Sequence, residues 1–260
     1  MWNTIVNDAK SLTRYIKSND LAYRTQGFSL FEYACLTGKL TVVKRLLKKS
    51  DLDLNSVNDL GLTILHRFNY TIVNYSILAL LLNDPRINPN QKDLDGRTPL
   101  HHAVLRKKTE LLAVFLHYSC FEVNKLDQFN FSPLALAVQN SYFEGVELLL
   151  DHPECDGSSV LVRAVQIPGA LGTKIFKRIL IDPHTNPNIP DSLGTALFHA
   201  RRLNLPIRIN MLLYDDLETK ANYFPAVRKI FLTCFLCGEF LPRLPTVLWY
   251  EIFNYNRVLH

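Results

Sequence analysis

The chain has 260 residues, 48% of them hydrophobic and 20% charged, with a formal net charge of +5. That length and balance fit one elongated unit or two small domains around a substantial core, and they exclude an intrinsically disordered chain. The cations are scattered among acids ("KRLLKKSD", "LRKKTE", "HARRLN") with no aromatic-basic motif, so no specific nucleic-acid partner is expected.

In chain order, "MWNTIVNDAKSLTRYIKSND" is amphipathic and has no apolar core of signal-peptide length. Ile5, Val6, Ala9, Leu12, Ile16 and Leu21 form an apolar stripe at helical spacing, with Lys10, Arg14 and Lys17 opposite. This predicts a helical N-terminal cap over residues 1–24. From Gly27 onward a pattern repeats: "GFSLFEYACLTG", "GLTILHRF" at Gly61, "GRTPLHHAV" at Gly96, "NFSPLALAVQNS" at Asn130, "GSSVLVRAV" at Gly157 and "GTALFHARR" at Gly194. The intervals are 34, 35, 34, 27 and 37 residues. Each start is followed by a second apolar run: "VVKRLLKK", "SILALLLND", "ELLAVFLHY", "GVELLLDH", "IFKRILID" and "RINMLLYDD". Paired helices at this period predict an all-α solenoid over about residues 25–216, because one pair cannot bury its apolar face alone and stacked pairs can. The short fourth interval predicts a missing or shortened turn near Cys155–Gly157, and "IPGALGT" predicts a longer loop inside the fifth unit. Asp-Pro and His-Pro steps after the second runs mark helix ends. Residues 217–260 then supply a second helical cap, dense in Phe, Leu and Trp.

"DLDGRTPLHHA" resembles the ankyrin-repeat consensus, with Gly96, Thr98, Pro99, Leu100, His101 and Ala103 in order; "NDLGLTILH" and "GTALFHA" are weaker copies, and "NFSPLALA" keeps Ser-Pro-Leu and the alanine. The resemblance implies stacked helix-turn-helix units with short β-turn fingers, and a binding surface of finger tips and first helices. Its contact positions are Asp59, Leu60 and Leu62 in the second unit, and Leu94, Asp95, Arg97, Leu105 and Arg106 in the third. In the fourth they are Gln128, Phe129, Phe131, Gln139 and Asn140. Phe129 and Phe131 either anchor a partner or fold back onto their own unit. The resemblance also implies that His101 bonds Thr98 and neighbouring backbone, tying one repeat to the next. His66 and His199 are read at the same position of their units.

Near the C-terminus "LPTVLWYEIFNY" resembles the opening of an F-box, through Leu244, Pro245, Val247, Leu248, Ile252, Phe253 and Tyr255. Truncated F-box-like segments end ankyrin chains of poxviruses, and an F-box implies docking to a Skp-type adaptor of a cullin ubiquitin ligase. Two alternatives stand beside it: helices that only cap the stack, and a SOCS box, which implies an elongin-type partner. Elsewhere, Cys234 and Cys237 form an isolated CxxC without the second pair of a zinc ribbon, and Cys35 fills a small apolar core slot. No glycine-rich phosphate loop, nucleophile elbow or paired-carboxylate motif appears. The expectation is therefore a non-enzymatic, monomeric protein-interaction scaffold without cofactor, metal or membrane span. Free thiols point to a cytoplasmic setting, and abundant Asn, Lys, Ile and Phe hint at an AT-rich genome, a viral or bacterial origin and a host cytosol.

Overall fold

The structure is a computed structural model that describes residues 2–8, 11, 13–15, 24–25, 28–191, 193–209 and 211–212. The chain divides into two compact units, Met1–Leu205 and Pro206–His260. Of the second, residues 206–209 and 211–212 are described, and they are helical. The predicted C-terminal cap, the CxxC and all seven F-box-like positions lie outside the described residues.

In its described residues the first unit is a stack of helix pairs, all-α apart from one minimal hairpin. A short helix, α1 (Trp2–Asn7), precedes two-residue strands β1 (Arg24–Thr25) and β2 (Phe28–Ser29), paired antiparallel. The pairs follow: α2 (Leu30–Leu36) with α3 (Leu40–Leu46), then α4 (Ile64–Arg67), prolonged by a 3-10 turn at Phe68–Tyr70, with α5 (Tyr75–Leu82). Next come α6 (Pro99–Leu105) with α7 (Thr109–His117), and α8 (Pro133–Gln139) with α9 (Phe143–Leu150). The series ends with α10 (Ser158–Gln166), α11 (Gly169–Leu180) and α12 (Ala196–Arg202). Leu30, Val43, Leu46, Phe68, Ile77, Leu78, Leu100, Leu112, Phe115, Val138, Val146, Leu149, Val165, Ile175 and Phe176 are fully buried, so one apolar spine runs through every pair.

Every first helix but α10, which follows Gly157, starts at a hydroxyl N-cap. Ser29, Ser132 and Thr195 are extended N-caps whose oxygens accept from Glu32 N, Ala135 N and Phe198 N. Thr63 and Thr98 are extended N-caps as well, and Pro99 and Pro133 occupy the first turn, where no intrahelical donor is lost. Four first helices end on a residue with positive φ: Gly38, Lys107, Ser141 and Asn204. There Lys39, Lys108, Tyr142 and Leu205 donate back to the carbonyls of Ala34, Ala103, Ala137 and Ala200. The second unit departs from this. Phe68 replaces the alanine, and Ile72, β-branched and unsuited to positive φ, stands in the turn. The chain takes a 3-10 turn and leaves Ile72 95% exposed.

Fingers project between units where an Asx side chain organises them. Asn58 Oδ1 accepts from Leu60 N and Leu62 N, and Asp93 Oδ1 from Asp95 N and Arg97 N. Asp127 Oδ1 accepts from Phe129 N and Phe131 N, and Asp191 Oδ1 from Leu193 N and Gly194 N. Between α9 and α10 no such finger forms: Gly157 has φ −80°, and Asp156 accepts from Ser158 N at the helix start. The longer loop expected from "IPGALGT" is overturned. Only Ile167 and Pro168 separate α10 from α11, and the glycines lie inside α11. Gly172 is buried, and a Cβ there would strike the Ile167 carbonyl, so this glycine serves close approach.

Adjacent fingers touch through backbone: Leu94 N donates to Leu60 O at 3.3 Å and Gln128 N to Asp95 O at 3.1 Å. Glycine is required at their bends. Gly61 and Gly96 have φ of +74° and +71°, and a Cβ would sit 2.8 Å from Leu94 N and 2.7 Å from Gln128 N. Asn130 occupies the corresponding bend of the fourth finger, at φ 60°, with its side chain exposed. No fifth finger abuts it. Gly96→Ala is expected to lower stability by about 1–3 kcal/mol in urea unfolding, whereas Asn130→Gly shifts it by less than about 1 kcal/mol.

Candidate functional site

The fingers and first helices are held by side chains that bridge to the next unit. His101 Nδ1 accepts from Thr98 N at 3.1 Å and lies 2.8 Å from the Thr98 hydroxyl, which fixes the proton on Nε2. That Nε2–H donates to Phe131 O in the fourth finger at 3.0 Å. His66 repeats the arrangement with Thr63 and with Arg97 O at 3.0 Å. In the first unit Glu32 takes the histidine's place: it accepts from Ser29 N and pairs with Arg67 of the next unit at 3.3 Å. His199 departs from the sequence reading. Counted from its N-cap, Thr195, it corresponds to His102 and not to His101. Its Nε2 faces Asp191 Oδ1 at 3.1 Å, as His102 Nε2 faces Asp93 Oδ2 at 2.7 Å.

A second bridge was not anticipated. Asn55 accepts from Asn88 N and donates to Arg86 O; Asn90 accepts from Glu122 N and donates to Cys120 O; Asn124 accepts from Asp156 N and donates to Glu154 O. Each asparagine thus satisfies one donor and one acceptor of the following unit. A readable signal existed, since Asn55, Asn90, Asn124 and Asn188 each stand three residues before a finger base, Asn58, Asp93, Asp127 or Asp191. Cation-π contacts add a further link between neighbours: Arg67 over Phe28 at 3.9 Å, Arg106 over Tyr70 at 4.4 Å and Arg163 over Phe131 at 4.5 Å.

Most of the contact positions implied by the resemblance reach the surface. Leu60, Leu94 and Phe129 are 61%, 69% and 55% exposed at successive tips. Asp59, Asp95, Arg106, Gln128, Gln139 and Asn140 are exposed, and Leu105 is half-buried. Arg97 is half-buried and pairs with Asp95 at 2.9 Å and Asp127 at 3.6 Å. The two phenylalanines separate: Phe129 is exposed, with Arg97 of the third finger 5.8 Å from its ring, while Phe131 is half-buried beneath Arg163. Leu62 is a correction. It is buried, because it closes the second finger against its base and directs its side chain into the core. The sequence reading passed over Leu193 at the sixth tip and Phe198 on α12, 61% and 50% exposed. It also missed an open cavity of about 610 Å³ beside the irregular second-unit turn, lined by Tyr70, Ile72, Tyr75, Lys108 and Leu111 among others.

His66, Asp93 and His102 offer ligand atoms within 4.8 Å of one another, the candidate cation cluster among the described residues. The four ring nitrogens of the two histidines are already engaged. His66 uses Nδ1 as acceptor and Nε2 as donor, and His102 Nδ1 meets the Tyr70 hydroxyl at 2.8 Å while Nε2 meets Asp93. A metal would have to break the bonds that hold the third finger, so the cluster is structural. Burial pushes the Cys155 thiol up to about 12 and Cys35 well above the ordinary range, leaving neither as a nucleophile.

Burial also lowers His66 and His101 from 6.5 to about 4, with the carbonyl bonds to Arg97 and Phe131 opposing the shift. Above pH 6.5 both rings are neutral whether folded or unfolded. Between 6.5 and 4 only the unfolded ring takes a proton, so stability falls across that window, by roughly 3 kcal/mol per histidine. His101→Ala is expected to cost roughly 2–4 kcal/mol at pH 7, by leaving Thr98 N and Phe131 O without their partner, and to flatten the slope measured by urea unfolding at stepped pH.

Residues 69–164 match the family model described as ankyrin repeats (3 copies). No curated protein matches the chain. Among solved structures, the ankyrin repeat protein EF0377 superposes with a TM-score of 0.57 at 22% identity, over 74% of this chain and 98% of that one. The ankyrin repeat domain of Bcl-3, a member of the IkappaB protein family, gives 0.60 at 21% identity, over 73% and 86%. An ankyrin repeat domain from Acinetobacter baumannii AYE gives 0.58 at 20%, over 70% and 95%. With the capped helix pairs, the bridging histidines and the finger turns, these matches identify ankyrin repeats at residues 69–164 and an ankyrin-repeat fold for the stack.

Proposed function

We propose that the chain is a non-catalytic scaffold that binds protein partners on the face formed by its fingers and first helices. The observation that carries this is the run of apolar tips, Leu60, Leu94 and Phe129, each held in solvent on a turn whose base is locked by an Asx side chain. A largely wet apolar side chain on a rigid turn contributes little to the fold, and its burial by a partner loses little conformational entropy. Among the described residues no helix is long and apolar enough to cross a membrane. The monomeric state and the cytoplasmic location remain part of the proposal. The matched repeats, residues 69–164, include Leu94 and Phe129, and the plain binding module needs nothing further.

A second reading is the adaptor, in which Leu244, Pro245, Val247, Leu248, Ile252, Phe253 and Tyr255 dock a Skp-type protein while the repeats hold a target. It rests on the sequence match at those positions. Two sites on one chain would make transfer between them effectively intramolecular. Affinity capture from a eukaryotic lysate is expected to recover a protein that is lost when Leu60, Leu94 and Phe129 are changed to Ser. Recovery unaffected by the triple change would overturn the proposed face. Removing residues 240–260 decides the adaptor: loss of cullin components with the target retained supports it, and their absence from the intact-chain capture overturns it.

A further inference from the structure

Charge is distributed unevenly between the two layers of helices. Among the described residues the first helices and their C-terminal caps carry Arg67, Arg106, Arg163, Arg201 and Arg202. Their one carboxylate is Glu32, which is 1% exposed and already paired with Arg67. The second helices are mixed, with Lys44, Arg45, Lys174, Lys177 and Arg178 beside Glu110, Glu144 and Glu147. Beyond the Arg67–Glu32 pair, the charged residues of the finger-side layer are therefore all cations.

One place on that layer is open. The second finger is covered on one side by the third, and the third by the fourth, closely enough that only glycine fits at Gly61 and Gly96. The fourth finger has no such neighbour, because none forms between α9 and α10, and its bend accordingly tolerates Asn130. At its tip Phe129 is 55% exposed, with the Arg97 guanidinium of the preceding finger 5.8 Å from its ring, and on the open side Arg163 of α10 lies over the Phe131 ring with its own side chain in solvent. Of the exposed finger carboxylates, Asp59 and Asp95 sit on the two preceding tips and Asp191 at the base of the sixth finger, whereas the fourth tip presents Gln128, Phe129 and Asn130.

We infer that the open side of the fourth finger, floored by α10, is the seat of an acidic peptide segment that also carries an aromatic or aliphatic side chain. The inference rests on the protein-binding reading above and names its partner's chemistry. A carboxylate of the segment meets the Arg163 guanidinium, which is held in place by the Phe131 face and presents paired donors. The apolar side chain covers Phe129. Asn130 keeps the segment from packing as a fifth finger would, since a Cβ at this bend meets an incoming backbone, so the segment seats against Phe129 and Arg163. A nucleic acid fits less well. Its phosphates would need a continuous cationic track, and Asp59 and Asp95 interrupt one.

The test selects random dodecapeptides, displayed on phage, against the immobilised full chain, and titrates a labelled enriched peptide by fluorescence anisotropy. Enriched sequences are expected to be acidic with at least one aromatic or aliphatic residue. Affinity should drop about tenfold in Arg163→Glu and in Phe129→Ala, less in Arg163→Gln, and remain unchanged in Arg178→Glu, which alters a second-layer cation. Phe129→Ala removes an exposed side chain and keeps the test valid if Arg163→Glu lowers the melting temperature. Enrichment without an acidic bias, no enrichment, or binding indifferent to both Arg163→Glu and Phe129→Ala overturns the inference. Displacement of the peptide by oligothymidylate also overturns it, in favour of a nucleic acid. These failures leave the proposed scaffold standing, which falls only with the triple-tip capture experiment.

Discussion

A neutral imidazole that accepts from its own helix cap and donates to the next unit's finger is the interaction on which the stack depends. His66 and His101 each join three things: the start of a first helix, the residue that caps it, and a main-chain carbonyl about thirty residues on. Only one protonation state does this. Nδ1 must be bare to take the cap N–H, and Nε2 must carry the proton offered to the finger. Burial enforces that state by penalising the charged ring. A chemical reading of "HHA" as metal or acid-base machinery fails for the same reason: a ring with both nitrogens committed has nothing left to offer a ligand or a substrate.

What was legible in the sequence was what recurs. Hydroxyl caps, the prolines after them, the alanine where helices approach and the glycine where fingers bend each follow from a local steric or hydrogen-bonding demand, and they announced the helix pairs at their spacing. The bridging asparagines recur just as regularly, three residues before each finger base, but their role was hidden. Their partners lie in the following unit, and a side chain reaching across units leaves no local mark. His199 was misplaced because the sixth finger is one residue shorter than the third: Asp191 precedes Thr195 by four residues, and Asp93 precedes Thr98 by five. Register had to be counted from the cap, not from the glycine.

The binding positions were legible only as far as burial follows the repeat. Leu60, Leu94 and Phe129 are tips because the residue after or next-but-one after a finger base has nowhere to go but solvent. Leu62 lies two residues beyond Leu60 and turns inward, closing the finger on Asn58. The irregular second unit could not be foreseen from composition. Phe68 fills the slot where four other first helices have alanine, and Ile72 cannot adopt the backbone that Gly38, Lys107, Ser141 and Asn204 adopt. The result, an exposed isoleucine beside an open cavity, follows from two substitutions acting on one turn.

Departures from the repeat carry the most information about partners, because the repeat itself is common to proteins with unrelated targets. In a solenoid each unit touches only its neighbours, so a missing finger does not propagate; it removes one contact and leaves the units on either side intact. Asn124 still bridges to Glu154 and Asp156, and Ser158 still accepts from Asn186 N, so the fifth unit is fastened on both sides without a finger of its own. The same economy lets α10 and α11 run longer than their counterparts, joined by two residues, because the length not used in a finger is available to the helices. An array fastened at its core and interrupted at its rim keeps its spine continuous while its surface varies, and here that variation falls beside the one first-helix cation of the fifth unit, Arg163.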